Sequence, residues 1–301
     1  MGWIGFNLLV AALMAIDLGL FHRKSHEIEV REALWMSLFW IVIALVFNLG
    51  IFFIKGPDAG MQFLAGYVLE KSLSVDNLFV FLLIFNYFKV PRAFQFKILF
   101  WGIVGALVMR AIFIFAGVAM LHNFHWVMYI FGAVLVFTGF KLFSEKEKEI
   151  QPAKNPVVKV FQKFYPTTTQ YHHDKFFVRE AGRWLATPLF VVLLVVETTD
   201  VIFAVDSIPA VLAVSRDPFI VYTSNVFAIL GLRALYFALA GMMQLFHYLH
   251  YGLGVILIFI GMKMLVTDLW HIPTGAALGF IALVLGASVI VSILKPLDKK
   301  A

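Results

Sequence analysis

The sequence predicts an all-α, polytopic membrane protein of about nine transmembrane helices, with two inverted three-helix repeats at its centre. Three observations predict it. Hydrophobic residues fill 62% of 301 positions and charged residues only 14%, with a mean hydropathy of +0.91, which excludes an ordinary soluble domain at ~45–50% apolar. Apolar runs near the ~20 residues needed to cross hydrocarbon recur along the whole chain. A set of polar motifs also recurs, in the same order, in its two halves.

The runs fall at about 3–21, 33–54, 62–88, 95–119, 124–143, 186–213, 219–242, 248–266 and 274–294. The first is followed, not preceded, by its basic residues (Arg23, Lys24, Arg31) and lacks a small-residue cleavage site, so it reads as a retained anchor. The third and sixth are long and contain acids, so they are expected to be tilted, broken or partly re-entrant. Pro209 would weaken the sixth beside Asp206, because it cannot donate to the carbonyl of Val205; Gly66 is the nearest weak point in the third.

The resulting organisation is 1–61, the first two helices; 62–143, the first repeat; 144–185, a polar linker; 186–266, the second repeat; and 267–301, the ninth helix and tail. With nine crossings, the face holding the C-terminus carries seventeen Lys and Arg residues, against only Lys55 and Arg216 on the other. The positive-inside rule then places the C-terminus and the linker in the cytoplasm and the N-terminus outside. The same loops account for the net charge of +6, so no nucleic-acid partner is needed to explain it; the partner implied is the lipid bilayer. The linker reads as a charged surface connector, its pair His172 and His173 being the one feature that suggests metal sensing. No cysteine is present, which excludes disulfides, thiol redox centres and thiolate metal sites.

The repeat is read from three matches. EKSLSVDN begins at Glu70 and DVIFAVDS at Asp200; RAIFIFAG begins at Arg110 and RALYFALAG at Arg233; His125, Gly132, Gly139 and Lys141 share their spacing with His247, Gly254, Gly261 and Lys263. Three spans per copy make the second copy enter the membrane from the opposite face, so the copies are inverted. That architecture is common in transporters, with the substrate near the midplane between the copies.

Glu70, Asp76, Glu197, Asp200 and Asp206 all fall inside these spans. Ionised and alone, each would cost about 2.5–3.5 kcal/mol on insertion scales. Lys71, Arg110 and Arg233 are the intramembrane charge partners, which leaves a formal excess of two negative charges that a divalent cation or protonation would cancel. Carboxylates with Asn77, Ser74, Thr198, Thr199 and Ser207 are hard oxygen ligands that suit Mn, Ca or Mg. Six residues separate the two acids of each motif by ~9 Å and ~120° on a straight helix, too far to share one ion. Asp76 and Asp206 are expected to face each other near the midplane, with Glu70 and Asp200 displaced to opposite sides. Lys141 and Lys263 read as snorkelling side chains, His125 and His247 as interfacial caps, and Asp17, Asn48 and Asn225 as interhelical hydrogen-bonders.

The segments GYVLEKSLSVDN (66–77), ETTDVIFAVDSIPA (197–210), DPFIVYTSNVFAILGLRALYF (217–237) and IFIGMKML (258–265) resemble the TerC family, in particular its Alx-type bacterial members. The resemblance extends over nearly the whole chain. It implies a bacterial inner-membrane protein linked to manganese efflux and metal homeostasis, not an enzyme and without a tightly bound cofactor. Carried over by motif, Glu70, Asp76, Asp200 and Asp206 would bind the ion, Asn77 and Ser207 would add neutral oxygens, and Glu197 would be a further carboxylate or proton carrier. Manganese comes from the resemblance alone. Two other classes compete: an intramembrane aspartyl protease, which lacks its GxGD context here, and a non-transporting partner that delivers metal to secreted proteins or docks on secretion machinery.

Overall fold

Proline sets the start of several helices: its fixed φ suits the first turn, where no N–H partner is needed. The computed structural model describes residues 2–21, 29–144, 155–180, 182–240, 248–270 and 272–294. In order, these form α1 (Gly2–Phe21), α2 (Val30–Lys55), α3 (Pro57–Tyr87), α4 (Arg92–Asn123), α5 (Val127–Ser144), α6 (Pro156–Phe164), β1 (Phe177–Glu180), β2 (Arg183–Ala186), α7 (Pro188–Leu212), α8 (Pro218–Leu230), α9 (Leu232–Ala240), α10 (Leu249–Leu265) and α11 (Thr274–Leu294). Proline opens α3, α6, α7 and α8. Asp217 also caps α8, its Oδ1 accepting from the N–H groups of Phe219 and Ile220.

Among the described residues, five segments are long and apolar enough to cross a membrane: α2, α4, α7, the pair α8–α9 and α11; three shorter apolar stretches lie in α1, α5 and α10. The 31-residue α3 is long enough but carries Glu70, Lys71 and Asp76. Large apolar side chains such as Leu8, Trp35, Phe53, Ile54 and Leu283 point outward from α1, α2 and α11, as a lipid-facing rim requires. The α8–α9 segment lies inside, with nearly every residue from Ile220 to Leu230 buried.

Of the alternatives for the third and sixth spans, tilted, broken or partly re-entrant, a break is the one the structure removes. The third and sixth spans, α3 and α7, run unbroken, and Pro209 sits within α7. The interruption lies in the seventh span, at Gly231. There the Lys71 ammonium donates to the Ala228 carbonyl (3.3 Å), one of the acceptors left over where α8 ends. An added Cβ on Gly231 would come within 2.6 Å of Lys71 Nζ and 3.1 Å of Trp40 Cβ. The side chain that caps the break therefore also occupies the space that glycine leaves.

Helices α5 and α10 approach each other closely. A Cβ on Gly132 would meet the Gly261 carbonyl at 2.9 Å, and one on Gly139 the Gly254 carbonyl at 2.7 Å. As the number rises on one helix it falls on the other, so the pair is antiparallel, its backbones in contact through small residues.

Contacts at the helix ends sort into two groups. At one end Lys55 pairs with Asp217 (2.6 Å), Tyr222 donates to Asn7 (2.9 Å) and Tyr129 donates to Asp268. At the other, Lys97 pairs with Asp174 (3.1 Å) and Tyr171 donates to the Phe88 carbonyl (2.8 Å). Much of the expected connector is folded: α6 and the antiparallel β1–β2 hairpin dock on the start of α7, and Thr187 donates to the Lys175 carbonyl (2.7 Å). His172 lies 3.0 Å from Glu180. Among the described residues no three His, Asp or Glu converge to hold a metal, and the paired histidines are no exception.

Candidate ion-binding site

Arginine at position 110 organises the interior. It lies on α4 with 1% of its surface exposed, and a guanidinium so deep requires charge partners and acceptors. Nη1 donates to Glu70 Oε1 of α3, while Nη2 meets Asp200 Oδ1 of α7 at 3.3 Å. Ser207 Oγ of α7 and Asn225 Oδ1 of α8 each lie 3.4 Å from Nη1. The Asn225 amide closes the ring by donating to Glu70 Oε2 at 3.0 Å. Four helices thus contribute to one knot of side chains, each of which is buried.

Periodicity accounts for the membership. Asp200 and Ser207 stand seven residues apart, about two turns, and share one face of α7. Asp206 points elsewhere: it is half-buried and accepts from Thr138 Oγ1 of α5 at 2.9 Å. The expected pairing is therefore inverted in one respect. Glu70 and Asp200, expected on opposite sides, share a single guanidinium, and Asp206 leaves that centre because α7 stays helical and turns it roughly 120° away from Asp200. The side chain of Asp76 lies outside the described residues; its backbone belongs to α3.

The remaining expected residues take distinct positions. Asn77 is buried on α3, seven residues from Glu70, and is not among the groups that bind Arg110. Glu197 sits one turn before Asp200 and presses against α4 at Gly105, where an added Cβ would overlap its carboxylate. Among the described residues no donor meets Glu197. Arg233 of α9 lies with its guanidinium carbon 4.3 Å from the centre of the Phe96 ring, a cation–π distance. Lys71 meets no carboxylate among the described residues; it caps the α8 break. Asn225, read from sequence as an interhelical hydrogen-bonder, is that and also a member of the central knot.

A small cleft reaches this centre. Asp200 and Arg233 line it, with Leu78, Phe81, Leu99 and Gly102 among its apolar walls. Asp200 Oδ2 is buried and has no hydrogen-bond partner among the described residues, an expensive state for a carboxylate oxygen in an apolar interior. Around Arg110 the oxygens of Glu70, Asp200, Ser207 and Asn225 form a hard donor set of the kind that binds Mg, Ca or Mn. Chemically, the arrangement can neutralise one buried positive charge and has capacity for more.

Comparison with known proteins places these residues in a lineage. Residues 55–300 match the sequence profile described as "Integral membrane protein TerC family". An uncharacterized membrane protein of Myxococcus xanthus is 50% identical over 293 residues, covering 97% of this chain and 92% of its own length. A protein of Escherichia coli (strain K12) named "Putative membrane-bound redox modulator Alx" is 47% identical over 289 residues, covering 93% and 90%. A Salmonella typhi protein of the same name is 44% identical over 299 residues, covering 96% and 93%. No solved structure matches.

Proposed function

Because the chain belongs to the TerC family of integral membrane proteins, we propose that it moves divalent cations, manganese first among them, outward across the bacterial inner membrane. One observation carries the reading: two carboxylates from different helices are buried around one arginine, and an oxygen of Asp200 has no partner among the described residues where it lies beside a cleft.

Charge decides how an ion would use such a centre. Glu70 and Asp200 with Arg110 carry a net charge of −1 when all are ionised. Adding a divalent ion beside the guanidinium would make it +1, whereas replacing the guanidinium makes it zero. Neutrality in a low-dielectric interior favours replacement. Arg110 is then a tethered counter-ion that holds the site closed when no ion is bound. Glu70, Asp200, Ser207 and Asn225 are the ligands for the cation, Glu197 lies one turn along α7 as a further carboxylate, and Asp76, Asn77 and Asp206 occupy flanking positions on the same two helices.

The inverted relation between 62–143 and 186–266 is part of the proposal, and α5 and α10 support it. Sequence equates Gly132 with Gly254 and Gly139 with Gly261. The contact of 132 with 261 becomes, under that exchange, the contact of 254 with 139, which is the other contact seen. Such self-complementarity is the signature of two-fold packing. The two groups of end contacts support nine crossings with α8–α9 as one span. They put the N-terminal residues beside the poorly basic loops at Lys55 and Asp217, and the linker beside Lys97 at the other end. The name of the Escherichia coli relative raises redox modulation, for which this chain has no thiol of its own.

The test is flux into sealed vesicles containing only the purified protein, read with a manganese-sensitive dye and normalised to inserted protein. Saturable uptake that Glu70→Gln and Asp200→Asn each abolish is the expected result. Uptake of Mn, Ca and Mg no faster than in protein-free vesicles would refute transport and favour a non-transporting metal-delivery partner.

A further inference from the structure

The short helix α6 is built for two different neighbours. At ~100° per residue, Val157, Val158, Val160, Phe161 and Phe164 share one arc of about 160°, and Lys159, Gln162 and Lys163 fill the opposite side. Only part of the apolar arc is used by the protein. Val158 is 3% exposed, and the Phe161 ring lies 5.2 Å from that of Phe190 on α7. Val157, Val160 and Phe164 are 43%, 57% and 80% exposed. They form a continuous stripe about 100° around the helix from the packed face, so two apolar flanks and one polar face divide the circumference.

Position and charge identify what covers the open flank. Phe190 is in the first turn of α7, a helix long and apolar enough to cross the membrane, which holds α6 at the level where that helix enters the bilayer. On β2, Trp184 is 57% exposed. Residues 155–187 carry Lys159, Lys163, Lys175, Arg179 and Arg183 against only Asp174 and Glu180, and Asp174 is paired with Lys97. A helix with an apolar stripe, an adjoining polar face bearing lysines, and a nearby exposed tryptophan matches the requirements of the membrane interface, where the lysines meet anionic headgroups.

We propose that α6 is an interfacial helix that lies in the surface of an anionic leaflet, inserting Val157, Val160 and Phe164 among the acyl chains while Lys159 and Lys163 bind headgroup phosphates. The surface joins the linker between the two halves of the chain to the lipid, so leaflet charge acts on that linker directly. The inference is independent of whether the protein transports ions.

The chain contains no cysteine, so single substitutions can be labelled without background. Val160→Cys and Phe164→Cys test the stripe, and Gln162→Cys and Lys163→Cys the polar face, each carrying an environment-sensitive fluorophore in the full-length protein. The vesicles are phosphatidylcholine with or without phosphatidylglycerol, with aqueous iodide on both sides or nitroxide-bearing lipid as quencher. With anionic lipid, nitroxide lipid should quench the stripe labels at least threefold more than the polar-face labels, and iodide should show the reverse order. Without anionic lipid the contrast should shrink. Equal quenching at all four positions would overturn the proposal. So would stripe labels shielded from iodide but untouched by nitroxide lipid, since a second copy of the chain would then be the cover. Contrast unaffected by phosphatidylglycerol would overturn the assignment to an anionic leaflet.

Discussion

Neutralising Arg110 isolates the energetics of the central knot. In Arg110→Gln the amide keeps some hydrogen bonding to Glu70 and Ser207, but two buried carboxylates lose their counter-charge. Breaking a buried pair by removing one partner costs about 3–5 kcal/mol, a large share of the ~5–15 kcal/mol that holds a typical domain together. Glu70→Gln should lose less, because Arg110 keeps Asp200 as its partner. Combining the two leaves one buried acid of the knot, Asp200, without its counter-charge, and the pair should lose at least ~1.5 kcal/mol less than the sum, because residues in one network do not act independently. The assay is thermal and denaturant unfolding of all four proteins in one detergent. Manganese adds a second axis. At 100 times its Kd a bound ion contributes about 2.7 kcal/mol, so saturating Mn should restore much of the loss in Arg110→Gln, where two carboxylates stand open, and little in the double variant. Strictly additive losses would refute the ion-pair account. Equal protection of the single and double variants by Mn would refute the view that the guanidinium stands where the cation binds.

Other variants address separate contacts. Gly105→Ala would ordinarily stabilise a helix by up to ~1 kcal/mol, but here the new methyl forces the Glu197 carboxylate, the end of a flexible side chain, to turn aside, so the gain in melting temperature should be smaller in Gly105→Ala than in Gly105→Ala/Glu197→Ala measured against Glu197→Ala. Gly261→Val drives a branched side chain into the Gly132 carbonyl, which a Cβ alone would approach to 2.6 Å; the folded yield in size-exclusion chromatography should drop at least severalfold, while the same change at Gly286, with open space around it, should leave it unchanged. On the linker, the hydrogen bond from Lys97 holds the Asp174 carboxyl below its ordinary pKa despite partial desolvation. A depressed folded pKa gives stability that is present above the unfolded value and lost as pH falls through the folded one. Protection of the 171–187 amides relative to their intrinsic exchange rates should therefore fall below about pH 4, the ordinary aspartate range, and Lys97→Met should remove that acid-dependent step.

Sequence made the class of protein and the burial of Glu70, Arg110, Asp200 and Arg233 legible, because hydropathy acts locally; Lys263, read as a snorkelling side chain, is buried as well. Which charges meet was harder. The motif drew attention to V-D, the more recognisable pair, yet the inward stripe is the seven-residue spacing of Glu70 with Asn77 and Asp200 with Ser207. Two turns keep those residues on one face, and six residues do not. The break at Gly231 carried no local signal stronger than that at Gly66 or Pro209. Its cause is tertiary: Lys71 arrives from another helix to take the freed carbonyl of Ala228. The internal structure of the linker was not legible, because its folding depends on docking to Phe190, Phe88 and Lys97 rather than on any long apolar run.

Symmetry sharpens what Arg110 means for the proposed transport. If the halves are inverted copies, Glu70 is equivalent to Asp200 and Arg110 to Arg233. The two carboxylates do meet at one place, but the two arginines behave differently: Arg110 is inserted between the acids, and Arg233 lies over Phe96 on the wall of the cleft that leads to Asp200. A two-fold axis cannot map such an arrangement onto itself. It maps it onto a second one, in which the guanidinium from the other repeat takes the central position and access opens from the opposite face. In the proposed transport, one repeat would rock against the other around the central site, and the unequal placement of the two arginines would distinguish the two end states. A divalent cation that displaces Arg110 would release the bond holding the present arrangement, so binding of the cargo and the change of access would share one physical cause.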